Sequence, residues 1–255
     1  MIIYGINPVL EALKSRRVTR LRMSARRDRR MDEIVALAAR QGIAVERVEP
    51  QALDRAAGGG VHQGVIADTA QARDYSLAEL ARSSWVAGTD GASHPGRQAP
   101  LLVVLDGIED PHNVGAILRT CDAAGVTGVV RQQRHSASLD GIVAKASAGA
   151  IAHVQIATVV NIARAIEELK DANVWTIGLA GDAPDAYTDV DWTLPSAIVL
   201  GAEGTGLRRL VRDRCDRLVR LPMFGAVDSL NVSVAAGVVL YEAVRQRTGR
   251  GSRQG

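Results

Sequence analysis

The 255-residue sequence predicts an α/β protein with a mostly parallel sheet, preceded by a small N-terminal α/β domain. After residue 100, short apolar runs alternate with helical patterns, which is typical of parallel strands covered by helices on both faces. Glycine and small polar residues follow three of the runs, and they predict loops at the carboxyl edge of the sheet, where α/β proteins bind ligands. The candidate strands are Leu101–Leu105, Gly128–Arg131, Val154–Ala157, Val174–Gly178, Ala197–Leu200 and Leu218–Leu221.

The first 75 residues predict a separate domain of short helices and strands. Asn7 followed by Pro8 is typical of a helix N-cap and first turn. The apolar spacing over 32–41 predicts a second helix that ends at Gly42. The strand candidates in this region are the segments VTRLRMS, IAVERVE and GVIADTA.

Composition divides the rest of the chain. Residues 83–100 are rich in Gly, Ser, Pro and Ala, as expected of a linker. We therefore expect a first domain over 1–75, a linker over 76–99, a second domain over 100–249 and a flexible tail over 250–255. The second domain ends in a helix over about 232–247 with a wide apolar face.

Basic residues are concentrated near the N-terminus. Between Lys14 and Arg30 there are nine basic residues and one acidic residue, Asp28, whereas the whole chain has a net charge of only +3. Arginine dominates, and its planar guanidinium binds phosphates and stacks on bases. This pattern predicts an RNA-binding surface. The candidate RNA-binding residues are Arg16, Arg17, Arg20, Arg22, Arg26, Arg27, Arg29 and Arg30.

Several classes of protein are disfavoured by composition. No apolar run approaches the roughly 20 residues of a membrane-spanning helix, and the segment MIIYGINPVLEAL does not resemble a secretory signal. Cys121 and Cys215 are isolated in apolar surroundings, as expected of reduced thiols in a cytosolic protein. The five histidines are scattered without HExxH spacing, so we expect no metal site.

The segment GAEGTGL, residues 201–207, follows an apolar strand but matches neither common nucleotide-binding loop. Its glycines are not spaced as GxGxxG, and it lacks the Lys-Ser/Thr of a P-loop. The simplest explanation of the glycines is a tight turn. A turn does not explain Glu203 between glycines at a strand end, where a carboxylate can accept hydrogen bonds from a ligand or orient a catalytic partner.

Two further segments flank helices. In DGIEDPHNVGAILR, Asn113 fits a helix N-cap. Arg119 follows six residues later, a rotation of about 600°, so the two side chains should lie well apart around the helix axis. Because Arg119 has apolar neighbours in the sequence, we expect its guanidinium to need a partner. In LPMFGAVDSLNVS, either Ser229 or Asn231 could cap the final helix.

Together these segments resemble the TrmH-type branch of the SPOUT superfamily of RNA methyltransferases. The first motif corresponds to Asn113, Gly115 and Arg119, the second to GAEGTGL, and the third to LPMFGAVDSLNVSVAAGVVLYEAVRQR. The flanking segments YGINPVLEAL, GGGVHQGVIA and RHSASLDGIVAKASAGA are most similar to the RlmB-type 23S rRNA guanosine 2'-O-methyltransferases. The three ordered motifs and these flanks make the resemblance specific along the whole chain.

The resemblance implies an S-adenosylmethionine-dependent enzyme that methylates a guanosine 2'-hydroxyl of ribosomal RNA in the cytoplasm as a homodimer. It implies a deep trefoil knot in the C-terminal domain and an N-terminal RNA-binding domain similar to a ribosomal protein. The implied catalytic residues are Arg119, Asn113, Glu203, Ser229 and Asn231. The implied cofactor-binding residues are Gly201, Leu221 and Leu230, with Leu200, Met223 and Ser229 nearby.

Three alternatives remain open from the sequence. The substrate could be transfer RNA or another ribosomal nucleotide, although the N-terminal domain and the segment RHSASLDG favour ribosomal RNA. The chain could be a non-catalytic RNA-binding or ribosome-assembly factor with the same fold, which would not need the five catalytic candidates. A generic nucleotide-binding domain is disfavoured by the loop spacings.

Overall fold

The computed structural model describes residues 2–26, 28–70, 73–84, 99–139 and 141–249. The strands are β1 (Ile2–Tyr4), β2 (Val18–Met23), β3 (Val45–Arg47), β4 (Val65–Thr69), β5 (Leu101–Asp106), β6 (Gly128–Gln132), β7 (Ile156–Val159), β8 (Trp175–Leu179), β9 (Asp185–Ala186), β10 (Ser196–Gly201) and β11 (Arg217–Arg220). The helices are α1 (Ile6–Lys14), α2 (Arg29–Arg40), α3 (Pro50–Ala57), α4 (Leu77–Arg82), α5 (Pro111–Ala123), α6 (Gly141–Ala146), α7 (Ile162–Asp171), α8 (Arg209–Arg214) and α9 (Val232–Gly249).

Residue contacts divide the chain into two units. The first unit consists of Met1–Ala72, Val114–Arg119 and Ala137–His153. The second consists of Arg73–Asn113, Thr120–Ser136 and Val154–Gly255. The division in space therefore does not follow a single cut in the sequence.

The first unit has a four-stranded sheet in the order β1-β4-β2-β3. Strand β4 is antiparallel to both β1 and β2, and β3 pairs parallel with β2. The three predicted N-terminal strands are confirmed as β2, β3 and β4. Strand β1 and helix α3 were not predicted, because they are too short for a recognisable apolar period.

The second unit has a seven-stranded parallel sheet in the order β7-β6-β5-β10-β8-β11-β9. All six strands predicted in this region are present, which confirms the α/β fold class with its mostly parallel sheet. The central strands β5 and β10 are buried along nearly their whole length, which explains their continuous apolar sequences. No helix of the described residues combines the length and the apolar character needed to cross a membrane.

Two helix starts differ from the prediction. The N-cap of α1 is Gly5 rather than Asn7, whose side chain instead accepts a hydrogen bond from Arg30 Nη1 at 3.0 Å. Helix α2 begins at Arg29, because the Asp28 carboxylate accepts the backbone N–H groups of Arg30 and Met31, both at 3.1 Å. The start of α2 is thus set by a side chain that satisfies free N–H groups, and the start of α1 by a glycine that allows the turn.

Part of the expected linker is folded. Helix α4 begins with a reciprocal capping interaction between Ser76 and Glu79, and its Leu80 is fully buried in the core of the second unit. A Cβ at Gly128 would lie 2.6 Å from a Leu80 methyl, so the strand needs glycine at this position. Asp74 accepts the N–H of Thr158 at 2.8 Å, at the edge strand β7. Residues 85–98 of the expected linker lie outside the described residues.

The predicted final helix is confirmed as α9, and it ends in a buried arginine. Arg247 is 2% exposed, and its guanidinium donates to the carbonyls of Trp192 (2.8 Å), Leu194 (3.0 Å), Pro100 (3.2 Å) and Ala99. Burial lowers the pKa of Arg247 to about 10. One side chain thus connects α9 to the segments that precede β5 and β10.

We predict that Arg247→Met lowers the free energy of unfolding by about 2–4 kcal/mol, because several buried carbonyls lose a charged donor. Equilibrium urea denaturation measures the effect. The control is Arg245→Met on the same helix, whose guanidinium is exposed and pairs with Glu242. An equal, small effect of both substitutions would show that the buried contacts do not stabilise the fold.

Candidate functional site

Helix α5 starts at the carboxyl edge of β5 and carries the first motif. Its N-cap is Asp110, whose carboxylate accepts the N–H of His112 at 2.9 Å, and Pro111 is the first helical residue. The prediction that Asn113 caps this helix is therefore wrong. Asn113 lies in the first turn and is buried. Its side chain is consequently available for interactions other than capping.

The side chain of Asn231 joins the three motif segments. Its Nδ2 donates to Asn113 Oδ1 at 2.9 Å and to Glu203 Oε1 at 2.6 Å. Its Oδ1 accepts the N–H of Ser233 at 2.9 Å and so caps α9. Residues far apart in the sequence therefore meet at one amide. Of the two candidate caps for the final helix, Asn231 is the one confirmed.

Glu203 is carried by a tight turn that the glycines make possible. The N–H of Gly206 donates to the carbonyl of Ala202 at 2.9 Å, and Gly204 and Gly206 have φ of 76° and 66°. A Cβ on Gly201 would lie 2.2 Å from the carbonyl carbon of Gly206. The turn therefore requires glycine at position 201 because a Cβ would not fit there. It favours glycine at positions 204 and 206 because their φ angles are positive. It presents Glu203 on the surface.

An ion pair with a buried carboxylate lies beside this turn and was not identified from the sequence. Asp106, at the end of β5, is 0% exposed and accepts the backbone N–H of Arg208 at 2.9 Å and its Nε at 2.6 Å. Arg208 Nη2 also donates to Gln132 Oε1 at 2.6 Å. The one sequence signal was an aspartate that directly ends the apolar run LLVVL.

Two expected catalytic residues take no part in the hydrogen bonds of Asn231. Arg119 is exposed, whereas the preceding Ile117 and Leu118 are buried. Apolar neighbours in the sequence do not bury the Arg119 guanidinium, because adjacent helical residues point in different directions. Burial therefore imposes no need for a partner, and a functional partner stays a prediction. The hydroxyl of Ser229 donates to Asp228 Oδ1 at 3.1 Å.

The expected cofactor-binding residues differ in how far they are exposed. Leu200 is buried, Leu221 and Met223 are half-buried, and Leu230 is 40% exposed. A Cβ at Gly204, Gly206 or Gly225 would meet no atom within 4 Å. These three glycines therefore have open space beside them, whereas the expected cofactor residue Gly201 is packed against the backbone of Gly206. Open space beside partly exposed apolar side chains is typical of a ligand site.

Several residues of the N-terminal basic cluster are paired within the first unit. Arg20 pairs with Glu46 (2.6 Å), Arg22 with Asp68 (3.1 Å) and Arg26 with Asp28 (3.2 Å). Arg17 is half-buried and donates to the carbonyl of Ile151 at 3.3 Å. Arg16, Arg29 and Arg30 are exposed, and they form no ion pair with a described carboxylate. Arg27 lies outside the described residues.

The cysteines are unsuited to nucleophilic chemistry. Burial raises the pKa of the Cys121 thiol far above its usual range, and burial also raises that of Cys215 to about 12. Thiols in such surroundings stay protonated at neutral pH. No three His, Cys, Asp or Glu side chains of the described ranges form a group that could hold a metal ion.

Comparisons with known proteins give a consistent result. Residues 100–241 match the SpoU rRNA Methylase family, and residues 2–75 match the family described as RNA 2'-O ribose methyltransferase substrate binding. The chain is 42% identical to the 23S rRNA (guanosine-2'-O-)-methyltransferase RlmB of Yersinia pestis, with 96% of this chain and 97% of that protein covered. It is 40% identical to the putative TrmH family tRNA/rRNA methyltransferase YacO of Bacillus subtilis, covering 96% and 95%.

A solved structure shares the fold. The SpoU methyltransferase AviRb from Streptomyces viridochromogenes, in complex with AdoMet, superposes with a TM-score of 0.79 and 24% identity, covering 98% of this chain and 91% of that one. The similarity extends over both units of the chain.

We predict that Gly201→Ala destabilises the protein by about 1–3 kcal/mol, because a methyl group cannot fit against the backbone of Gly206 and Leu207. The control is Gly237→Ala in α9, where a Cβ has room and alanine favours the helix. Urea denaturation gives the stability, and amide hydrogen exchange over residues 200–208 locates the change. Normal exchange over that turn in Gly201→Ala would refute the steric explanation.

Proposed function

Because this chain belongs to the SpoU rRNA methylase family, we propose that it transfers a methyl group from S-adenosylmethionine to the 2'-hydroxyl of a guanosine in 23S ribosomal RNA. The reaction proposed is the one for which the similar proteins are named. The single observation that carries the proposal is the meeting of all three motif segments at Asn231. A chain that had only kept the fold would not need this connection.

The residues present fit the proposed cofactor. S-adenosylmethionine, when bound, supplies an electrophilic methyl group on a sulfonium sulfur. We propose that the backbone at Gly201, Leu221 and Leu230 holds its adenosine part, with the side chains of Leu200 and Met223, and Ser229, close by. The open space beside Gly204, Gly206 and Gly225 and the partly exposed Leu230 support this assignment.

We further propose that the segment 221–231 completes the deep trefoil knot implied by the family resemblance. The strand order supports it: β10 lies between β5 and β8, and β11 lies on the far side of β8. From β11 the chain must return past β8 to reach α9, which packs against β10. The segment 221–231, which contains the proposed cofactor residues Leu221, Met223 and Leu230, would then be part of the knot.

In the proposed reaction, Arg119 binds the phosphate next to the target ribose and stabilises the negative charge that develops on the 2'-oxygen. A guanidinium stays protonated at neutral pH and is a poor general base, so the proton must leave by another group. Glu203 or water could accept it. Asn113 and Asn231 hold Glu203 in place, which is supported by the 2.6 Å hydrogen bond from Asn231, and Ser229 contributes to the same loop.

We propose that residues 1–75 bind the RNA substrate, that 100–249 form the methyltransferase domain, and that the chain acts in the cytoplasm, where ribosomal RNA is found. We also propose a homodimer. Supporting it, α9 leaves Val234 (51%), Val238 (38%) and Tyr241 (54%) exposed along one side. Apolar side chains at this helical spacing are typical of an interface.

The proposal predicts that the purified chain methylates unmodified 23S rRNA at a guanosine 2'-oxygen, measured with a labelled methyl donor and mapping of the modified position. Arg119→Ala should lower turnover by a factor on the order of 10²–10³, because charge stabilisation in the transition state is lost. Its affinity for S-adenosylmethionine, measured by calorimetry, should stay unchanged.

The control for that experiment is Arg164→Ala on α7, an exposed arginine paired with Glu168. It should leave turnover unchanged. Methylation of transfer RNA alone would support the alternative substrate suggested by the Bacillus subtilis relative. Binding of rRNA without any methyl transfer would support a non-catalytic assembly factor, and loss of cofactor binding in Arg119→Ala would make Arg119 a structural residue.

A second prediction concerns salt. If about five arginines of the N-terminal cluster contact phosphates, log affinity for RNA should fall with log salt concentration at a slope of about −3.5. Replacing Arg16, Arg29 and Arg30 with Gln should reduce the slope by about 2, because each lost contact removes about 0.7. Filter binding at several salt concentrations measures both.

The matched control is Arg20→Gln, because Glu46 already pairs with that guanidinium. It should change the slope by less than the amount of about 0.7 expected for each arginine of the triple variant. A slope that is the same in the triple variant and the unchanged chain would mean that RNA contacts another surface.

A further inference from the structure

The loop that carries Glu203 is fixed at both ends by one residue of the neighbouring strand. At its start, Gly201 lies beside Asp106 in the parallel register of β10 and β5. At its end, the Asp106 carboxylate accepts the backbone N–H of Arg208 at 2.9 Å. Asp106 therefore closes the loop 201–208 by strand pairing on one side and by a hydrogen bond on the other.

The guanidinium of Arg208 strengthens this closure and extends it to a third strand. Its Nε donates to Asp106 Oδ1 at 2.6 Å, and Nη2 donates to Gln132 Oε1 at 2.6 Å. Gln132 ends β6. Arg208 thus connects the carboxyl ends of three neighbouring strands, which lie in the order β6-β5-β10.

Because the Asp106 carboxylate is buried, it depends on donors from the protein. The Asp106 side chain is fully buried, whereas 48% of the Arg208 side chain is exposed. A carboxylate without access to water must receive hydrogen bonds from protein donors. Both donors come from one residue, Arg208, so any movement of the loop end would remove the charge compensation together with the hydrogen bonds.

Glu203 lies within the closed loop and holds Asn231 through a 2.6 Å hydrogen bond. We propose that Asp106 and Arg208 are positioning residues, which hold the loop 201–208 so that Glu203 and the Gly201 backbone stay in their working arrangement. Neither residue was among the site residues indicated by the three motifs. The inference rests on the proposed methyl transfer, because it assigns the pair a role in that reaction.

The test compares Arg208→Met, Arg208→Lys and Asp106→Asn in the full chain. We expect Arg208→Met to lower the turnover number of methyl transfer by about 10- to 100-fold, the effect typical of losing a group that orients a site. RNA affinity should not change, because the loop is positioned for the cofactor and Glu203. Arg208→Lys, which keeps the charge but cannot reach Asp106 and Gln132 together, should give intermediate turnover.

A purely structural pair would reduce the folded fraction without changing the turnover of the folded molecules. Turnover is therefore normalised to the folded fraction from circular dichroism, and amide exchange over 201–207 is measured in parallel. The matched control is Arg214→Met, which removes another arginine of the same region, paired with Glu167 at 3.2 Å. It should leave turnover and exchange unchanged.

If Arg208→Met does not fold, Arg208→Lys and Asp106→Asn decide the question. Reduced turnover per folded molecule together with faster exchange in the loop supports the inference, and turnover equal to that of the unchanged chain overturns it. Absence of methyl transfer by the unchanged chain would instead overturn the proposed function, and the inference with it.

Discussion

The amide of Asn231 is the contact on which the proposed site depends. Its oxygen caps α9 by accepting the N–H of Ser233, and its nitrogen donates to Asn113 and Glu203. Among common capping residues only asparagine offers an acceptor and two donors on one short side chain. An aspartate would still cap the helix, but its carboxylate would repel Glu203. The third motif therefore requires asparagine for two reasons at once.

The surrounding loops are open to solvent and yet held in one arrangement. Much of the segment 221–231 is exposed, with Phe224 97% exposed, while the central strand β5 is buried along its whole length and β10 along nearly all of it. Order comes from the strand ends: Gly201 packs against the backbone of Gly206, and Asp106 binds Arg208. A rigid buried sheet that carries accessible loops is the usual way to fix reactive groups without closing the site to a large substrate such as RNA.

The sequence predicted the parallel sheet because strands buried on both faces must be apolar along their length, as β5 and β10 are. It also predicted that residues of three motifs would meet. Helix starts were less predictable, since Asp110 and Gly5 take the capping positions expected for Asn113 and Asn7. Partners distant in the sequence were not predictable at all. Examples are the ion pair of Asp106 with Arg208 and the carboxylates that pair with the basic cluster, because no local pattern encodes a contact formed only by the fold.

Three arginines of the chain show why residue type alone could not assign the chemistry. Arg247 is buried and its guanidinium is occupied by backbone carbonyls, so it stabilises the fold. Arg208 is half-exposed but its charge is matched by a buried carboxylate, which restricts it to holding a loop. Arg119 is exposed and lies outside the hydrogen bonds of Asn231. A cation can stabilise charge that develops on a substrate only if the cation is accessible and is not already engaged by a fixed anion. Of these three arginines, only Arg119 is exposed and forms no ion pair with a carboxylate in the described part of the chain, which favours it for the proposed role.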